Sequence, residues 1–185
     1  MLIERFFGFL FTGFVFASSA IAQDASDLSA DQLRALFDKQ KTRGLVLAPT
    51  EAPLTEEAPA GAPAAQTTYV ELAPDEQINI QIRFDFDSAA LRDDEKPKLA
   101  TLCEVMKTVD VQQFRIVGHT DASGSANYNE KLSLLRAQEV KRHLVGNCGI
   151  PDEKLEAVGV GEQFPLDKED PNADANRRVE FQALS

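Results

Sequence analysis

The chain is short of positive charge. Its 185 residues carry 19 Lys and Arg against 30 Asp and Glu, a formal net charge of -11. A nucleic-acid binder shows a basic stripe, and none is visible here. The same deficit argues against electrostatic adhesion to anionic lipid and reads most simply as solubility. Histidine is nearly absent: His119 and His143 are the only two. Without a cysteine or carboxylate cluster at ligand spacing they make a poor zinc site, so neither metal nor cofactor is expected. No Ser-centred elbow or Gly-rich phosphate loop occurs. His119, two residues before Asp121, is the one pairing that invites an enzyme reading. A histidine ending a strand is more often a satisfied structural group, and the chain is read as a non-enzyme.

A long apolar run is also missing. The longest, Phe6–Ala17, is about 12 residues, where a membrane-crossing helix takes about 20. Preceded by Met1–Arg5 and followed by Ala20-Ile21-Ala22, it reads as an export signal over residues 1–22, with a retained anchor as the alternative. No cysteine lies near the cut, so that end offers no thiol for a lipid. The only cysteines are Cys103 and Cys148. An exported chain enters a compartment where disulfides persist, and an even pair suits a bridge.

What is present falls into three parts after the signal. Residues 23–47 hold one helix, with a capping box at Ser29 and Gln32 and apolar Leu33, Leu36 and Phe37 behind it. At about 12 residues such a helix is marginal alone and needs a partner surface, either its own domain or another protein. Gly44–Leu47 allows a short strand. Residues 48–76 read as a linker, semi-extended where Pro49, Pro53, Pro59 and Pro63 are spread through Ala, Thr and Glu.

From residue 77 to 185 the periodicities are clean. Ile78, Ile80, Ile82, Phe84 and Phe86 alternate with polar residues, predicting a strand with one buried face. Leu99, Leu102, Cys103 and Met106 make the stripe of a helix. Phe114–Gly118 predicts a second strand, and Asn127 to Gly146 a second helix with Ala137, Val140 and Leu144 inward. Leu155–Val160 and Val179–Leu184 complete the set. The order βαβαββ predicts an α+β two-layer sandwich, with two helices on one face of a mixed four-stranded sheet. Cys103 and Cys148 both fall on inward stripes where the helices would run side by side. That predicts a Cys103–Cys148 bridge, the alternative being two buried free thiols.

Five blocks now line up: Phe84-Asp85-Phe86-Asp87-Ser88, Gly118-His119-Thr120-Asp121, Tyr128-Asn129 with Leu132–Ala137, Gly159-Val160-Gly161-Glu162, and Asn176-Arg177-Arg178-Val179. In order and spacing they resemble the peptidoglycan-binding domain of the OmpA C-terminal family, across residues 77–184. The membrane barrel of some members has no room in residues 1–76, and the lipid-attachment cysteine of the related peptidoglycan-associated lipoproteins is missing. The resemblance implies noncovalent binding of the peptidoglycan stem peptide at diaminopimelate, in the periplasm or beside the outer membrane. Asp121 would take the ammonium and Arg136 the adjacent carboxylate, with its planar two-pronged fork. Phe86, Asp87 and Thr120 match positions lining the same pocket. Asn129 and Arg178 match supporting positions. The alternative function is a structural adaptor that docks an envelope partner through residues 24–47.

Overall fold

The computed structural model describes residues 24–42, 69–85 and 87–184. The export signal, the strand expected at Gly44–Leu47, most of the linker and Phe86 lie outside the described residues. Three helices, α1 (Ala30–Thr42), α2 (Ala100–Thr108) and α3 (Ala126–Cys148), accompany four strands: β1 (Ile78–Ile80), β2 (Gln113–His119), β3 (Leu155–Gly161) and β4 (Val179–Leu184). The sheet is mixed, in the order β1-β4-β2-β3. Strands β2 and β3 run parallel across α3, and β4 enters antiparallel between β1 and β2.

Each element forms for a local reason. Pro97 sits in the first turn of the 3-10 segment Lys96–Leu99 that leads into α2, where its missing N–H costs nothing. Helix α3 begins behind Ser125, whose hydroxyl accepts the Tyr128 N–H, and ends at Gly149 in the left-handed region. The expected bridge between Cys103 and Cys148 is present, tying α2 to the end of α3 with Cα atoms 5.6 Å apart. His143 stands beside it, with its nearer ring nitrogen and both sulfurs within 4.8 Å of one another. His143 and Cys148 share α3, five residues apart, and Cys103 joins them from α2, a proximity that linear spacing does not show.

Several expectations change. Alternation predicts a strand from Ile78 to Phe86, but among its described residues only Ile78–Ile80 pairs in the sheet. Its partner β4 starts at Val179, opposite Ile80, so the ladder has nothing further to bond. The alternation persists without it: Ile82 is buried and Phe84 half-buried. The sheet was also expected to bury one face. It buries both, since Asn79, Glu180 and Gln182 are as inaccessible as the apolar residues between them. Residues 69–76, the end of the expected linker, lie over that second face. The Tyr69 hydroxyl donates to Glu180 Oε2 at 2.8 Å, and Gln182 Nε2 donates to the Val70 carbonyl at 2.9 Å. His119 belongs to this buried polar layer, 3.2 Å from Glu180 Oε2.

The N-terminal helix settles its own question of partner. Leu33 and Phe37 are fully buried in the core shared with α2 and β4, and the Phe37 ring meets Phe114 edge-on at 5.2 Å. Gln40, also buried, donates from Nε2 to the Glu76 carbonyl at 2.7 Å, and its Oε1 accepts the Ala183 N–H at 2.7 Å. The core therefore extends well upstream of residue 77, and three helices rather than two cover the sheet. Phe37→Ala is expected to cost about 3–5 kcal/mol in urea unfolding, the range for a fully buried aromatic. An unchanged midpoint would mean that α1 is dispensable.

Candidate ligand-binding site

The site is set by how closely α3 lies on β2 and β3. A Cβ on Gly118 would fall 2.0 Å from the Ser133 carbonyl oxygen, and one on Gly159 would fall 2.4 Å from the Leu134 nitrogen. Only hydrogen at these positions lets the helix backbone rest on the strands. The Ser133 hydroxyl then accepts the Gly161 N–H at 2.9 Å, pinning the helix in register. Arg136 follows one turn later. Its side chain leaves the rim of the core with the guanidinium carbon 4.7 Å from the Phe84 ring centroid. Its Nε donates to the Ser88 carbonyl at 3.2 Å.

Arg136 is only 9% exposed, and among the described residues no carboxylate lies within ion-pair distance of it. Burial pulls its pKa below the usual guanidinium value, Asp121 acts against that, and Arg177 adds to it. The result is a desolvated positive charge that lacks a direct counter-ion. It opens onto a cleft of about 470 Å³ whose wall includes Gln81, Ile82, Phe84, Arg136, Asp174 and Arg177.

Asp121 sits just past the end of β2. Its Oδ1 accepts the Ser123 N–H at 3.0 Å and its Oδ2 accepts Arg177 Nη1 at 2.7 Å. Asp121 is not itself on the cleft wall; it adjoins it through Arg177, which also pairs with Asp174. Burial alone would raise the Asp121 carboxyl, but Arg177 and the Ser123 bonds outweigh it and hold the pKa below the ordinary value. The carboxylate is thus ionised at neutral pH, with lone pairs to spare for a further donor.

The remaining expected residues divide. Asn129 is buried and acts as a bracket: its Nδ2 donates to the Asp121 carbonyl at 3.3 Å and to Glu162. Thr120 is buried, its N–H donating to the Gly161 carbonyl at 2.9 Å, and its hydroxyl has no hydrogen-bond partner among the described residues. Asp87 is exposed and off the cleft wall, with its backbone in the left-handed region at φ 51° and its carboxylate accepting the Tyr128 hydroxyl at 2.5 Å. Phe86 lies outside the described residues. Arg178 is carried away from the cleft onto the second face of the sheet, where it bonds Asn79 Oδ1 at 3.1 Å and the Phe164 carbonyl at 3.2 Å. Arg177 takes the place beside Asp121 instead. Adjacent residues of an extended chain face opposite ways, so only one of the two arginines can approach the pocket. Parity decides which: Arg178 falls in step with Glu180 and Gln182 of the second face, and Arg177 with Val179 and Phe181 of the core face.

The Arg177 bond makes a sign prediction. A carboxyl depressed in the folded state adds stability above its unfolded pKa, and that stability is lost as pH falls through the folded pKa. In Arg177→Ala burial acts unopposed by the guanidinium, so the Asp121 midpoint rises and acid unfolding begins at higher pH. Carboxyl-carbon NMR titration reads the shift; a midpoint that stays put would mean that Arg177 does not hold this charge.

The OmpA family model matches residues 83–178, a little over half of the chain. The chain is 33% identical over 107 residues to outer membrane porin F of Pseudomonas aeruginosa, covering 56% of this chain and 30% of that protein. It is 32% identical over 129 residues to outer membrane protein A of Bordetella avium, covering 67% of this chain and 66% of that protein. Against the porin F and Omp38 relatives it spans only 30% to 36% of their length. Among solved structures, a putative MotB-like protein from Desulfovibrio vulgaris superposes with a TM-score of 0.51 at 32% identity, over 58% of this chain and 72% of that one. The OmpA-like domain of FopA1 from Francisella tularensis shares the fold, with a TM-score of 0.50 at 24% identity over 59% of this chain and 75% of that one. The sequence blocks and the family match agree: this chain belongs to the OmpA family.

Proposed function

We propose that the chain is a noncovalent peptidoglycan-binding protein of the cell envelope, exported by its N-terminal signal, and that it grips the stem peptide at diaminopimelate. The observation that carries this reading is Arg136: a nearly buried guanidinium facing a cleft, with no direct counter-ion among the described residues. A ligand carboxylate would neutralise it through two parallel bonds. Arg177, on the same wall, would close on that carboxylate from the other side, and Asp121 would receive the neighbouring ammonium. One amino-acid head, with both charges on a single carbon, fits that pattern. Membership of the OmpA family supports it, as do relatives named as outer membrane proteins.

The reading is of binding rather than catalysis. His119 is buried against Glu180 on the second face of the sheet, and burial holds its pKa below the usual imidazole value. The adaptor alternative through residues 24–47 gains little, because the apolar stripe of α1 is spent on the chain's own core. An envelope partner would have to use the polar outer side of that helix.

Co-sedimentation with purified sacculi tests the site. Removing one of two closely paired, desolvated charges costs about 2–5 kcal/mol, so Arg136→Ala and Asp121→Ala should each weaken binding by about thirtyfold or more. Arg136→Lys keeps the charge but loses the fork and should fall between. Full sedimentation of both alanine variants, folded by thermal melt, would refute the assignment.

A further inference from the structure

We propose that the outward ridge of α3, led by Tyr128 and Leu135, is a platform for the glycan strand of peptidoglycan, a second contact beside the stem-peptide cleft. The inference rests on the stem-peptide reading above and adds a sugar subsite to it. Three large hydrophobic side chains are exposed among the described residues, and two of them, Tyr128 at 43% and Leu135 at 52%, lie on α3. They are seven residues apart, two turns and about 10 Å along the axis, so they share one face. Leu132, half-buried, fills the turn between them.

The ring of Tyr128 is held in place. Its hydroxyl is bonded to Asp87. Asp87 is the only non-glycine residue with positive φ among the described residues, and such backbone persists where the surroundings impose it. The phenol is therefore anchored at its polar tip, and its apolar body remains 43% exposed as a whole residue. Asp87 is followed by Ser88, whose carbonyl accepts Arg136 Nε, so the anchor of the ring and the guanidinium of the cleft are held at neighbouring residues.

The occupant follows from shape and reach. A pyranose ring has an apolar C–H face and a polar rim, and stacks by that face on an aromatic ring. Two exposed side chains are far too small for a protein partner, which needs about 800 Å² per side. In peptidoglycan the peptide branches from the glycan, and diaminopimelate is the third stem residue. Three extended residues reach about 10 Å. The free amino-acid head lies at the far end of the diaminopimelate side chain, so a stem held at Arg136 tethers its sugars within roughly 20 Å, a reach that takes in Tyr128 and Leu135, the exposed large apolar residues of α3.

The test compares two ligands on the full chain by titration calorimetry: the free diaminopimelate-containing stem peptide, and the same stem attached to its disaccharide. The parent chain is expected to bind the disaccharide form about five- to tenfold more tightly, the yield of one good stacking contact. Leu135→Ala and Tyr128→Ala should each shrink that difference, while Tyr128→Phe, which keeps the ring, should retain most of it. Equal binding of the two ligands by the parent overturns the platform and leaves the stem reading standing. A parallel loss of both ligands in Leu135→Ala and Tyr128→Ala also overturns it, since the ridge would then be acting on the stem cleft. Failure of the free stem to bind sinks the stem reading and this inference with it.

Discussion

The fit of α3 onto β2 and β3 governs the rest of the molecule. Glycine at 118 and at 159 removes the two atoms that would hold the helix off the sheet. With the helix backbone on the strands, Ser133 can bond Gly161, and the face of α3 carrying Arg136 is fixed relative to the end of β2. The same approach sets Asn129 against Asp121, so one helix both supplies the Arg136 guanidinium to the cleft and braces the loop that bears the carboxylate. A helix displaced outward by even one methyl group would separate these tasks, because packed interiors transmit such shifts rather than absorb them.

Charge in the cleft is arranged with the opposite economy to the second face of the sheet. There, Glu180 is fully buried yet receives bonds from His119, Tyr69 and Gln182, which hold its carboxyl down against the burial that would raise it. Glu180 is thus satisfied within that layer, although His119 Nδ1, Arg178 Nη1 and Gln182 Oε1 beside it have no hydrogen-bond partner among the described residues. At Arg136 the protein leaves the charge incompletely matched. Buried ions are normally paired because the alternative is expensive. An exception beside an open cleft is where an incoming anion gains most.

Much of this was legible from residues. Strand β2, helix α3 and the cysteine bridge follow from periodicity, because those segments are long and their stripes unambiguous. Other features were not legible, for physical reasons. The stripe of α1 declares that it must be buried but not against what, and its docking is a tertiary fact. Residues 69–76 show no strand or helix period, yet they lie over the second face of the sheet, held there by hydrogen bonds from Tyr69 and to Val70. At the site, Asp121 and Arg136 are visible as a family pattern, whereas the choice of Arg177 over Arg178 is made by which side of β4 each leaves.

Gln40 has a wider effect than its two bonds indicate. Strand β1 is only three residues long, so β4 beyond Phe181 has no neighbour on that flank. An uncovered flank of a strand is a template onto which another chain can add, the usual start of edge-to-edge association. The Gln40 amide presents a donor and an acceptor in the manner of a peptide group and seals that flank from within. The helix that carries it therefore protects the sheet against self-association, as well as filling the core.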